Sequence, residues 1–213
     1  LQALESELKQ TPDNRPANLR GLQEFEEAVY YRFFYELTHR FGPLDVLELG
    51  TYCGTGAANF ASNTSTNVTT VDVSTRMYAW ASGVLESLKN VRMVRAHSIE
   101  NADLFKNEVF DVIFVDSNHI FDSAYQEYEI YRKKVKPNGV MFFDDIHYPP
   151  VFPEMDVFWE HVLDEKLEMN SLHGPSGFGA VKINQKLSVP SWKDVRDHAA
   201  YEIQNRRFRA GKT

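Results

Sequence analysis

Two segments of this chain gather residues that could do chemistry. They are F-D-V-I-F-V-D-S-N-H over 110–119 and V-M-F-F-D-D-I-H over 140–147. Each is an apolar run suited to a buried strand, and each ends in acid: Asp116 in the first, Asp144 and Asp145 in the second. If the two strands are neighbours, their tips lie about 4.8 Å apart. Two unit charges about 5 Å apart repel by about 3 kcal/mol at an effective dielectric near 20, and a third acid adds to this. A shared proton, a nearby Lys or Arg, or a bound cation would relieve it. No Lys or Arg lies within five positions of either site. A divalent cation on Asp116, Asp144 and Asp145 is the simplest answer, and an all-oxygen set favours Mg²⁺, Ca²⁺ or Mn²⁺ over zinc. The plainer reading is that these acids solvate or cap strand ends. Successive side chains of a strand point oppositely, so Asp145 can join Asp144 only if the strand has ended.

His119 stands three residues after Asp116. Its ordinary pKa near ~6.5 suits it to general-base work, which makes it a candidate base. Its structural alternative is a capping histidine before a helix over 121–135. His147 is a second candidate, in the outer shell of the metal, whereas His39, His161, His173 and His198 read as structural.

A glycine-rich segment, E-L-G-T-Y-C-G-T-G-A-A, begins at Glu48 and places Gly50, Gly54 and Gly56 between a strand and a helix. Such glycines permit a tight turn and close approach of backbone N–H groups to a ligand. Asp72 ends the next strand, 22 residues after Gly50, where an acid can accept hydrogen bonds from a ribose diol. The order G-x-x-x-G-x-G differs from the dinucleotide fingerprint G-x-G-x-x-G, which argues against a nicotinamide cofactor. S-Adenosylmethionine carries an ammonium and a sulfonium, both favoured beside carboxylates such as Glu48 and Asp116. Thr51 and Val73 belong to the same candidate cofactor site. Cys53, alone and without a base, reads as a packing residue.

The elements that must position these residues follow a strand–helix rhythm. Strands are expected at 44–49, 68–72, 91–95, 109–115 and 140–144, with helices starting near Thr55, Thr75, Ile99 and Phe121. This alternation predicts a mostly parallel sheet covered on both faces, a doubly wound α/β fold. A helix near 154–165 precedes two late strands, 167–172 and 178–183, joined by H-G-P-S-G; they predict an antiparallel edge. Upstream, Leu22, Phe25, Val29, Phe33, Leu37 and Phe41 recur at helical spacing, and Gly42-Pro43 stops that helix. The expected organisation is one domain over 1–213: a helical extension over 1–43 with a mobile or short helical lead, a core over 44–183 and a helical tail over 184–213. The Y-Q-E-Y-E-I-Y helix reads as sheet packing, H-Y-P-P-V-F-P-E-M as a stiff wall of an acceptor pocket or a mere connector, and the basic end N-R-R-F-R as solvated or a dimer contact.

Bulk properties fit a globular protein. Hydrophobic residues make up 43% of 213, and the net charge of −7 argues against a nucleic-acid partner. No apolar run approaches the ~18 residues of a membrane span. The first residues, L-Q-A-L-E-S-E-L, show no signal-peptide pattern. A single Cys allows no intrachain disulfide and fits a reducing, cytoplasmic setting. The sequons at Asn63 and Asn67 are short enough to arise by chance.

Over residues 44–183 the sequence resembles the class I S-adenosylmethionine-dependent methyltransferases, through E-L-G-T-Y-C-G-T-G, Asp72, the A-H-S segment and the strand ending in Asp116. The resemblance implies a seven-stranded Rossmann-like sheet, with Gly50 and its neighbours around the methionine part, Asp72 on the ribose, and Ala96, His97 and Ser98 by the adenine. D-S-N-H … F-F-D-D-I-H is also similar to the metal-dependent O-methyltransferases of the catechol and natural-product sugar types. There the positions matching Asp116, Asp144 and Asp145 hold a cation that chelates paired hydroxyls of a small acceptor. Where catechol-type enzymes carry a lysine base, this chain has His119; where the sugar type has an acid, it has Asn118. Three alternatives stand beside this reading: a metal-independent methyltransferase whose acids bind a cationic acceptor, a non-catalytic adenosyl-ligand or nucleotide-binding module, and a dehydrogenase.

Overall fold

A computed structural model describes residues 1–22, 29–147 and 153–210. Its centre is a seven-stranded sheet: β1 (Asp45–Leu49), β2 (Asn67–Asp72), β3 (Val91–Arg95), β4 (Phe110–Val115), β5 (Val135–Asp144), β6 (Glu165–Glu168) and β7 (Phe178–Lys182). The order is β3-β2-β1-β4-β5-β7-β6. The first five strands pair in parallel, and β7 runs antiparallel to both β5 and β6. This is the doubly wound sheet with an antiparallel edge that the sequence rhythm implies.

Eight α-helices occur among the described residues: α1 (Gln2–Leu8), α2 (Ala17–Arg20), α3 (Tyr30–Phe41), α4 (Thr55–Phe60), α5 (Thr75–Leu85), α6 (Phe121–Tyr131), α7 (Pro153–His161) and α8 (Trp192–Ala210). One face of the sheet packs Val46, Val68, Phe114 and Phe142 against Phe33, Phe34, Phe60 and Leu85 of α3, α4 and α5. The other packs Leu47, Ile113, Met141 and Phe143 against residues of α6, α7 and α8. Phe142 and Phe143 therefore serve opposite cores, as the two-residue period of a strand buried on both faces requires. On α6, Tyr125, Tyr128 and Tyr131 recur at three-residue spacing and are fully buried, so this helix is sheet packing as its pattern implies.

Several elements depart from expectation. Helix near Ile99 is reduced to one 3₁₀ turn, Ala102–Phe105. His97 Nδ1 accepts from the N–H groups of Ile99 (3.2 Å) and Glu100 (3.4 Å), a side-chain bond that competes with an α-helical start. The strand expected over 167–172 pairs over Glu165–Glu168 and gives way to a 3₁₀ turn, Asn170–Leu172. The N-terminal lead, by contrast, takes the short-helical form that was one of its two expected states, and it is fixed to the core: Leu4, Leu8 and Leu19 are buried, and Arg32 of α3 donates to Leu8 O (3.0 Å) and Thr11 O (2.6 Å). Of the helix expected from Gly21, the described part is α3; Phe25 lies outside the described residues, and Phe41 is exposed. Most of the H-Y-P-P-V-F-P-E-M segment also lies outside them.

The strand order reverses between β1 and β4, because the chain winds outward from β1 to β3 on one side and from β4 to β5 on the other. In open α/β sheets, ligands bind beyond the carboxyl ends of the strands at such a switch point. Gly50, Asp72, Asp116 and Asp144 all stand at that end.

Candidate functional site

The glycine loop is built by contacts that only particular residues allow. Gly50 has φ 99°, and a Cβ there would fall 1.9 Å from the carbonyl oxygen of Asp116. Gly54, at φ 87°, forms the N-cap of α4. A Cβ on Gly56 would fall 2.1 Å from Glu48 Oε1. Glu48 is buried beneath this loop, where its Oε2 accepts from Thr70 Oγ1 at 2.5 Å. Burial, with Asp116 and Asp72 nearby, pushes its carboxyl up to about 8. Thr51 packs its hydroxyl on Thr70 at 2.6 Å. Asp72 Oδ2 accepts from the N–H groups of Thr51 (3.1 Å) and Tyr52 (3.0 Å), and Oδ1 from Ser74 N–H (2.7 Å). It holds the loop in place and keeps carboxylate lone pairs for a further donor. Cys53 is buried as a packing residue.

These residues line two adjoining compartments. One, of about 560 Å³, is bordered by Asp72, Val73, His97, Ser98, Ser117 and Glu127. The other, of about 910 Å³, is bordered by Glu48, the glycine loop, Tyr30, Asp116, Asp144 and His173. Gly50, Asp72, Val73, Ser117 and His119 border both. Ser98 and Ser117 donate to Glu127 Oε1 at 2.5 and 2.8 Å. Burial outweighs these bonds and pushes Glu127 up to about 7. A shallower hollow of about 440 Å³ lies at the opposite end of the strands, by Asp45, Asn67 and Arg92; the carboxyl end is where the acids converge.

The three aspartates border one compartment, and of the three Asp144 and Asp145 present oxygens to a common ligand cluster. Val115 and Phe143 are in register on β4 and β5, so Asp116 and Asp144 follow at matching positions on adjacent strands. β5 ends at Asp144, and Asp145 turns into the left-handed region with φ 52°. That turn breaks the strand alternation and lets both carboxylates border one cleft. Histidines lie between the acids. His119 Nε2 is 3.2 Å from Asp145 Oδ2 and 3.6 Å from Asp116 Oδ1. His173 Nε2 is 3.0 Å from Asp145 Oδ1 and 3.7 Å from Asp144 Oδ1. Among the described residues no Lys or Arg is ion-paired with the three acids.

Crowding shows in the proton affinities. Burial, then the charges of Asp116 and Asp145, raise Asp144 well above the carboxylate range, against a hydrogen bond from Tyr30. Burial also raises Asp116, against His119, although 24% of that side chain remains exposed and solvent screens part of the effect. Burial disfavours the His119 imidazolium, but Asp116 and Asp145 outweigh it and raise its pKa.

Asp144 Oδ1 is buried and has no hydrogen-bond partner among the described residues. A buried carboxylate oxygen left so is costly, and a cation would satisfy it. One ligand atom each from Asp144, Asp145 and His173 lie within 4.8 Å of one another. Asp116 joins this set through His119. The donors present thus fit a divalent ion, but as a mixed oxygen–nitrogen set rather than the all-oxygen set expected. That shifts the preference toward ions at ease with imidazole as well as carboxylate, such as Mn²⁺.

His173, read from sequence as structural, stands in the middle of the site, and Tyr30 packs edge-on against it at 5.0 Å. No local signal marks His173: the antiparallel pairing of Phe178 with Asp144 is what returns the turn before that strand to the tip of β5. His147 is elsewhere engaged, by Asp156 (2.9 Å) and Glu168 (3.2 Å). The basic tail is not free either, since Arg206 and Arg207 pair with Glu160 and Glu154 of α7.

Comparisons with known proteins agree with this architecture. Residues 47–146 match the family model of a methyltransferase domain. Solved structures of similar shape include an O-methyltransferase from Bacillus cereus in complex with SAH (18% identity, 85% of this chain and 97% of that one, TM-score 0.66). Others are the O-methyltransferase TomG of tomaymycin synthesis from Streptomyces achromogenes, with SAM (14%, 85% and 96%, TM-score 0.66), and the SAH-bound methyltransferase PaMTH1 from Podospora anserina (15%, 86% and 95%, TM-score 0.66). No curated protein matches by sequence. The match over residues 47–146 and the shared fold agree with the class I methyltransferase architecture that the sequence resemblance implies. Among the described residues no helix is long and apolar enough to cross a membrane.

Proposed function

We propose that this protein is an O-methyltransferase that moves the methyl group of S-adenosylmethionine to a hydroxyl of a small acceptor, with a divalent cation at Asp144, Asp145 and His173. The observation that carries the proposal is the buried Oδ1 of Asp144, which has no hydrogen bond among the described residues, beside a second carboxylate and an imidazole. The bound cofactor supplies an electrophilic methyl group, and the cation supplies a Lewis-acidic seat for acceptor oxygens.

The protein's own work is alignment, desolvation and proton removal. Asp72 accepts from the ribose hydroxyls in this reading, and Val73, His97 and Ser98, which border the smaller compartment, take the adenine. Gly50, Thr51, Gly54 and Gly56 shape the loop around the methionine part, with buried Glu48 supporting it from beneath and Asp116 supplying negative charge. Tyr30 donates to Asp144 and fixes its rotamer. His119 Nε2 accepts the acceptor's proton, and Asp116 stabilises the imidazolium. Orientation supplies most of the rate, because in-line methyl transfer asks little else of a protein. A catechol or a sugar diol offers the two adjacent oxygens that such a site would bind. Tyr31, Tyr52 and Ser176 border the acceptor side.

The test is turnover of catechol and sugar-diol acceptors after EDTA treatment, with and without added Mn²⁺ or Mg²⁺. The expected result is loss of methyl transfer and its recovery with the ion. The placement of His119 and His173 between the acids favours one rival, a metal-independent enzyme in which imidazolium charge does the neutralising; undiminished turnover in EDTA would establish it.

A further inference from the structure

Away from the cleft, α7 and α8 bring together a second cluster of ligand-type side chains: His161 on α7, with His198 and Glu202 one turn apart on α8. We propose that these three form a site for a borderline transition-metal dication, best suited to Zn²⁺, that clamps α8 onto α7.

The spacing supports it first. His198 Nε2 is 3.3 Å from Glu202 Oε1, His161 Nε2 is 3.8 Å from Glu202 Oε2, and a ligand atom from each residue fits within 4.8 Å of the others. Tetrahedral zinc with bonds of about 2.0–2.1 Å separates its ligand atoms by about 3.3 Å. Contraction by up to about 1.5 Å would close the set, within reach of an exposed His198 rotamer.

Protonation state supports it second. His161 Nδ1 lies 2.8 Å from Val157 O. A carbonyl can only accept, so Nδ1 carries the hydrogen and a neutral ring presents its lone pair at Nε2. Metal-ligating histidines are usually set this way, by a backbone carbonyl on the other nitrogen. Glu202 Oε2 is buried and has no hydrogen-bond partner among the described residues. His161 Nε2 and Glu202 Oε2, 3.8 Å apart, are not hydrogen-bonded to each other. Two imidazoles and one carboxylate make a donor set for zinc rather than for Mg²⁺ or Ca²⁺.

The position gives such a clamp something to do. Along its 19 residues α8 buries only Ala199 fully, with Val195 and Ile203 partly buried against the core. Its other ties to α7 are ionic, Arg206 with Glu160 and Arg207 with Glu154. Arg207 and Glu154 also border the smaller compartment of the cleft. An ion at His161, His198 and Glu202 would hold the helix that carries Arg207, whatever the cleft binds.

The experiment is titration of the EDTA-stripped, full-length protein with Zn²⁺ by calorimetry and with Co²⁺ by visible absorption. Asp145→Asn serves to silence the cleft. The expected result is a site with Kd near or below about 1 µM, intense tetrahedral Co²⁺ bands, and retention of both in Asp145→Asn. His198→Ala alters an exposed side chain and should leave the fold intact; it should weaken binding by at least ~10–100-fold, as should His161→Ala. Binding to His198→Ala indistinguishable from the wild type, or Co²⁺ spectra of six-coordinate type in Asp145→Asn, would overturn the proposal.

Discussion

Asp144, at the end of β5, and Asp164, just before β6, are both buried carboxylates, and the molecule treats them in opposite ways. Asp164 Oδ2 accepts from Tyr128 (2.7 Å) and Arg132 Nε (3.0 Å), and Oδ1 from Asn184 N–H (2.7 Å) and an Arg132 terminal nitrogen (3.2 Å). Its charge and its lone pairs are answered by groups of the chain itself. Asp144 has Tyr30 on one side, two further acids beside it and an oxygen with no hydrogen bond among the described residues. The first is how a protein keeps a buried charge for structure. The second is how it keeps one for something that arrives from outside, at a cost to the empty protein.

The sharpest way to break this comparison is to remove each charge in turn. Asp164→Asn should destabilise the protein by about 3–5 kcal/mol, because Arg132 is then buried without its counter-charge. Asp144→Asn should leave the cation-free protein as stable or more so at pH 8, while abolishing any divalent-ion response. Denaturant melts in EDTA check both; equal losses would mean that Asp144 is a structural acid like Asp164.

Glu127 extends the same test to pH. Its carboxyl is raised to about 7 from an ordinary value near 4.3. The folded state therefore binds the proton more tightly, and stability falls as pH rises from about 4.5 through 7, by up to about 3 kcal/mol from this group. Glu127→Gln should flatten that part of the stability–pH curve of the cation-free protein. An unchanged slope would show that the Ser98 and Ser117 hydroxyls already satisfy the anion.

A smaller effect separates base from ligand. His119→Ala should lower kcat on the order of 10²-fold, the lower end of general-base contributions, while Mn²⁺ affinity stays close to that of the wild type. His173→Ala should do the reverse, weakening the ion about 10–100-fold. Metal titrations beside steady-state kinetics distinguish the two; a shared pattern would merge their roles.

Much of this was legible in the sequence because it depends on local rules. Apolar runs ending in Asp116 and Asp144 marked two buried strands, and the order of Gly50, Gly54 and Gly56 marked a loop with no room for side chains. What escaped depends on the chain returning from afar. His173 sits in an ordinary-looking Gly/Pro turn, and only the pairing of Phe178 with Asp144 brings it to the acids. Glu127 hides among tyrosines whose spacing reads as packing. Asp145 was recognisable as a problem of alternation, but its left-handed turn is a tertiary solution. The arginines of α8 look solvated until α7 supplies their partners.

The most direct test is the anomalous difference map of a crystal grown with S-adenosylhomocysteine and soaked in Mn²⁺. A peak bound by Asp144, Asp145 and His173, with Oδ1 of Asp144 among its ligands, is the expected result. A fully active enzyme whose map is blank there, with only water or a shared proton between the carboxylates, would contradict the account.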